Sequence, residues 1–217
     1  MATIVVCEGL LRGRAHDLAA ALVDGGHRAV YVDPFTSDDP ASYTFDALAA
    51  AFDLADDGGD GIVAVGGSLA SAGALAFARR APERCAALVL LHPVVLYGPR
   101  TELVDLAAAV RRHGVESAWR RLFAHDPPPD RDPAAALEGL GGDVLLAGPG
   151  DLAAVTQPTL LIARAGDALH AMDVATAYWR MIPTTRMINE VPGDVALWDR
   201  PADLAVRIGD FLREVRV

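Results

Sequence analysis

The sequence predicts an α/β chain: a three-layer sandwich of about six mostly parallel strands, helices on both faces and a small helical cap. Short apolar runs alternate with longer amphipathic stretches, which is the pattern of a parallel sheet covered by helices. The runs are almost continuously apolar, as strands buried on both faces must be. The alternation is interrupted once, by a long excursion after His92 that no simple crossover explains.

The strand runs are Thr3–Cys7, Ala29–Asp33, Gly61–Val65, Ala87–His92, Thr159–Ala163 and Arg186–Val191. Helical periodicity lies between and after them, at about 14–25, 43–56, 68–81, 173–182 and 201–214. Gly25-Gly26 ends the first helix and Pro82 stops the third, while Pro158 and Pro183 precede strands. The excursion, residues 93–155, carries amphipathic stretches at about 102–113 and 115–124, the breaker Asp126-Pro127-Pro128-Pro129-Asp130, and a further helical stretch at about 133–140. It reads as a cap inserted in a core made of residues 1–92 and 156–217. Its expected role is a lid over a ligand crevice, the alternative being a plain insertion.

Composition narrows the partners. The 217 residues include 19 basic and 29 acidic side chains, for a formal charge of −10, with 52% hydrophobic and 22% charged residues. That is globular composition, and its acidity opposes nucleic acid or an anionic membrane. No apolar run approaches the ~20 residues that span a bilayer, and no basic segment precedes the opening strand, so a cytoplasmic protein without a signal peptide is expected. Cys7 and Cys85 lie in apolar segments and read as buried free thiols of a reducing compartment. Every basic residue is arginine, the bias of a high-GC bacterial genome, which removes lysine-dependent chemistry. The expected partner is a small-molecule substrate, with a homodimer left open. Nothing in the sequence calls for a cofactor or a metal.

The run Gly61-Ile62-Val63-Ala64-Val65 leads through Gly66-Gly67 to Ser68, followed by Leu69-Ala70-Ser71 and a helix. Small residues two before and two after the serine suit a nucleophile elbow, a tight strand-to-helix turn that lifts a hydroxyl above the sheet. The N–H of Leu69 and the helix N-terminus then face a developing oxyanion. Serine is also a helix-capping residue type, so a purely structural Ser68 is the competing reading.

From these residues the chain resembles the α/β-hydrolase superfamily almost end to end. Ile4-Val5-Val6-Cys7-Glu8-Gly9 looks like that family's strand and oxyanion turn, Ala15-His16-Asp17-Leu18 like the start of its first helix, and Tyr31-Val32-Asp33-Pro34 like the end of its next strand. Arg79 to Leu91 is similar to the link between nucleophile helix and following strand. Gln157 to Asp167 resembles the penultimate strand, and Asp199 to Leu212 the last helix. The resemblance implies a sheet lacking the family's first two strands, Ser68 as nucleophile and Asp167 as the triad acid. It also implies an oxyanion held by the N–H groups of Leu10 and Leu69.

The chain departs from that pattern at three chemical positions. In Val191-Pro192-Gly193-Asp194, counting back from Arg200-Pro201, Asp194 stands where the family has its catalytic histidine, and no histidine follows His170. Glu8 replaces the histidine of the oxyanion turn, and Ala70-Ser71 replace paired glycines behind the nucleophile. A serine hydroxyl needs a base, which is worth about 10²–10⁴ in rate. His92, ending a strand beside Ser68, is the first candidate, and His170, three residues past Asp167, is the second.

Two enzymatic readings follow, both on a small carbonyl-containing substrate. The departures weigh towards acid/base chemistry by Glu8, Asp194, His92 and Ser68, as in a lyase, cyclase or isomerase. The alternative is an esterase or thioesterase in which Ser68 attacks and Asp167 orients a relocated base, His92 or His170. Trp198 follows the altered loop and is a candidate pocket wall. A binding protein with a decayed triad is the third reading. A nicotinamide-dependent reductase is a fourth, suggested by Gly9-Leu10-Leu11-Arg12-Gly13 with Asp33 further on, but it would need a lysine beside its tyrosine.

Overall fold

A computed structural model describes residues 2–10, 13–54, 60–93, 97–122, 129, 131–166, 170–191 and 195–217. Strands β1 (Thr3–Cys7), β2 (Ala29–Val32), β3 (Ile62–Gly67), β4 (Cys85–Leu91), β5 (Thr159–Arg164) and β6 (Thr185–Glu190) form one sheet in the order β2-β1-β3-β4-β5-β6. Every pairing is parallel, in keeping with the expected sheet of about six mostly parallel strands. The helices are α1 (Arg14–Asp24), α2 (Phe45–Leu54), α3 (Leu69–Arg80), α4 (Thr101–His113), α5 (Val115–Leu122), α6 (Ala134–Gly142), α7 (Pro149–Ala153), α8 (Met172–Met181) and α9 (Pro201–Val215).

Strand side chains alternate between faces, and the two apolar layers follow from that alternation. Ile4, Val6, Val63, Val65, Val89 and Ile162 meet α1 and α9 through Leu18, Leu22, Leu204 and Ile208. Val5, Cys7, Ala64, Leu88, Leu90 and Leu161 face the opposite layer, which holds Leu48, Phe52, Leu75, Phe77 and Tyr178. Between β4 and β5 lie α4 to α7. In α4 the buried residues Leu103, Leu106, Ala107 and Val110 repeat at helical spacing and pack on α6. Of the proline-rich breaker only Pro129 falls among the described residues. Cys7 and Cys85 are buried free thiols. No helix among the described residues is long and apolar enough to cross a membrane.

The topology fixes where a ligand can sit. The chain leaves β1 for β2 on one side, then returns to β3 on the other, so the connections diverge above the carboxyl ends of β1 and β3. Such a switch point opens a crevice. Glu8-Gly9-Leu10 follow β1 and Ser68 follows β3, one on each side of it.

Candidate active site

The turn after β3 has the shape a nucleophile elbow requires. Ser68 sits at φ 54° and ψ −123°, in left-handed backbone that a non-glycine residue adopts only at a cost of about 1–3 kcal/mol. Its N–H donates to Leu91 O at 2.8 Å. The Ser71 hydroxyl donates to Ser68 O at 2.5 Å, so the residue standing in for a family glycine pins the turn from below. Gly66 must be glycine here, because a Cβ would collide with the Ala70 carbonyl oxygen where strand and helix touch.

Ser68 opens onto a cavity of about 110 Å³ at the carboxyl rim. Its wall includes Leu10 of the turn after β1, His92 after β4, Arg164 ending β5 and His170 before α8, with Trp119 of α5 contributed from the inserted segment. Trp198, buried to 8% exposure, closes one side with its ring against Gly67. Arg14 and Asp199 pair at 2.6 Å on the same wall. A larger open groove of about 590 Å³ between β6 and α9 includes neither Ser68 nor a histidine among its described residues.

Among the described histidines, His170 is the one at Ser68, with Nε2 3.0 Å from Oγ, a productive distance for proton transfer. His92 also borders the cavity, at φ 48°, its N–H donating to Ile162 O at 2.8 Å. Its ring centroid lies 5.5 Å from that of His170, tilted by 49°. His92 Nε2 is hydrogen-bonded to Glu190 Oε2, and the other carboxylate oxygen accepts the N–H of Leu197 at 2.5 Å. Burial alone would raise the Glu190 carboxyl. The His92 hydrogen bond, the Leu197 N–H and the nearby His92 and Arg164 charges outweigh it and hold the group below its usual range.

Glu8 takes a different position. Its side chain does not line the cavity wall; it accepts from Gly9 N at 3.2 Å, Gly13 N at 2.8 Å and Ala15 N at 3.4 Å. The carboxylate thus organises the loop between β1 and α1. Desolvation raises its pKa against those three N–H groups, with Asp33 adding to the rise. Leu69, as the first residue of α3, carries one of the N–H groups that a helix leaves without an intrahelical partner. Asp167 and Asp194 lie outside the described residues.

Glu190 escapes a sequence reading because a lone acid at the end of an edge strand has no motif around it; its rim position is the signal that would have flagged it. Arg14, Arg164 and Trp119 are likewise brought in by topology. Among the described residues no group of three or more His, Cys, Asp or Glu side chains is arranged to hold a metal ion.

No family model and no curated protein matches the chain. Solved structures do. A thermophilic esterase from Thermogutta terrifontis superposes with TM-score 0.75 at 20% identity, covering 100% of this chain and 91% of that one. MenH from S. aureus gives TM-score 0.77 at 17% identity, over 100% and 95%. The enol-lactonase from Burkholderia xenovorans gives 0.71 at 15%, over 97% and 90%. The parallel sheet, the serine turn above its switch point and these likenesses together assign the chain the α/β-hydrolase fold.

Proposed function

We propose that the protein is a serine hydrolase acting on a small ester or thioester, with Ser68 as nucleophile and His170 as base. The 3.0 Å contact between His170 Nε2 and Ser68 Oγ carries this reading. The missing histidine of the last loop weighs towards non-hydrolytic chemistry in the sequence alone. A histidine supplied from the loop after β5 reverses that order.

On this reading the reaction runs in two stages. Ser68 Oγ attacks the carbonyl carbon as His170 Nε2 takes its proton, and the N–H groups of Leu10 and Leu69 receive the oxyanion. Collapse breaks the bond to the leaving group, which departs with the proton from His170. Water then attacks the acyl-enzyme and gives a proton to His170, and the second collapse releases the acid and restores Ser68. Asp167, three residues before His170, is the acid that the fold resemblance assigns to orient the ring.

The His92–Glu190 pair favours a second reading, in which the cavity moves protons on a carbonyl substrate without an acyl-enzyme. A fluorophosphonate probe separates the two. Hydrolysis requires a mass adduct on Ser68 that disappears in Ser68→Ala. A protein that stays unlabelled and turns over its substrate after Ser68→Ala is not a serine hydrolase.

A further inference from the structure

The groove between β6 and α9 gathers three valines that face water. Val191, Val195 and Val206 line it at 61–62% exposure, over a floor that includes Leu160, Ile188 and Phe211. β6 pairs only with β5 among the described strands, so the outer row of its N–H and C=O groups has no strand beside it. An apolar floor next to an open strand edge is a surface suited to another chain.

The charges around this floor say which chain. Arg186, Arg200 and Arg207 border the groove together with Glu190, Asp203 and Asp210, so the patch is balanced although the whole chain carries −10. Two copies therefore meet here without the repulsion they would feel elsewhere on their surfaces. The order of the charges is more specific. Arg200, Asp203, Arg207 and Asp210 recur at three- and four-residue spacing and share one face along α9. They are also placed symmetrically about Ala205: Asp203 and Arg207 stand two positions either side of it, Arg200 and Asp210 five positions either side. Reversing such a helix against itself sets an acid opposite an arginine at every one of these positions. Arg207 has no ion-pair partner among the described residues, since Asp203 pairs with Arg200 and Asp210 with Arg213.

The strand shares the same centre. Arg186, near the start of β6, pairs with Glu214 near the end of α9, while Glu190, ending β6, accepts the N–H of Leu197 just before α9 begins. The middle of that stretch of strand, Ile188, is thus level with the middle of the helix, at Ala205. One axis serves both elements.

We propose that two copies of the chain associate through this groove, β6 against β6 and α9 beside α9, antiparallel about a two-fold axis at the level of Ile188 and Ala205. The contact is isologous, so each charge pair occurs twice: Asp203 faces the partner's Arg207, and Arg207 faces the partner's Asp203. The inference is independent of the reaction assigned to Ser68.

Sedimentation velocity of the full chain, run over a wide concentration range, tests it. The unmodified protein is expected to reach a mass twice that of one chain. Asp203→Arg sets arginine against arginine at both pairs, and Arg207→Asp sets acid against acid. Each variant alone should self-associate about tenfold or more weakly, because the symmetry counts every change twice. Mixed in equal amounts, the two variants again oppose unlike charges at both pairs and should form a mixed dimer. That recovery also shows that both substituted chains remain folded. A protein that stays monomeric at every concentration overturns the proposal, as does a dimer that both substitutions leave equally tight. Single variants that melt like the parent but fail to associate on mixing overturn it as well.

Discussion

His92, just past β4, and Glu190, ending β6, meet side chain to side chain across the end of β5, where Arg164 approaches the same carboxylate at 3.8 Å. The pair ties the rim of β4 to that of β6. It also leaves the His92 ring fixed beside His170, so one buried carboxylate stiffens the surroundings of the residue that contacts Ser68.

Replacing Glu190 exposes that coupling. Glu190→Gln is expected to cost about 1–3 kcal/mol, because a buried charge-assisted hydrogen bond is lost. The pH dependence has a definite sign. The folded pKa lies below the unfolded value of about 4.3, so the carboxylate's contribution is complete above that value and is lost as pH falls through the folded pKa. Melting curves of both proteins over acid pH should converge as the solution is acidified.

His170→Asn removes the imidazole beside Ser68 and leaves the turn intact. For a substrate cleaved by Ser68, kcat is expected to fall by about 10²–10⁴ with a much smaller change in KM. Steady-state kinetics beside the same measurement on His92→Asn tells the ring at 3.0 Å from Oγ apart from the one behind it.

Ser68→Gly should stabilise the fold while abolishing turnover. Glycine adopts φ 54° without the penalty a side chain meets, so a gain of about 1 kcal/mol is expected, visible as a higher Tm. Ser68→Ala keeps the Cβ and the strain, and serves as the control. Equal melting temperatures for the two variants would mean the turn is not strained.

Glu8→Ala leaves the N–H groups of Gly9, Gly13 and Ala15 without their acceptor and is expected to destabilise by about 1–3 kcal/mol. Glu8→Gln keeps one acceptor oxygen and should lose less. Because the folded pKa of Glu8 is raised, the native state favours its protonated form: that contribution is present below the unfolded value and lost as pH rises through the folded one. The glutamine variant should therefore lack this decline in denaturant titrations across mildly acidic pH.

The sheet was legible because its physics is local. Thr3–Cys7 is a buried run of five residues, and its apolar sequence alone gives the same bounds. The elbow was legible for the same reason, since Gly66, Ser68 and Ala70 are close in sequence as in space. The histidine that meets Ser68 was harder to place. The expected strand order put His92 at the sheet edge beside Ser68, where it does border the cavity, whereas His170, 102 positions from Ser68 in sequence, makes the contact. Glu190 meets His92 across 98 positions, a pairing that no periodicity encodes. Glu8 shows the converse: an acid in an oxyanion turn suggests proton chemistry by type, but its three N–H partners within seven residues reveal a loop organiser.

The positions of the indoles give the protein a built-in optical readout. Of its three tryptophans, Trp119 and Trp198 border the space in front of Ser68 while Trp179 is 48% exposed on α8. Selective quenching by iodide would silence the α8 emission first. What remains would report, without any dye, whether a molecule has entered beside Ser68.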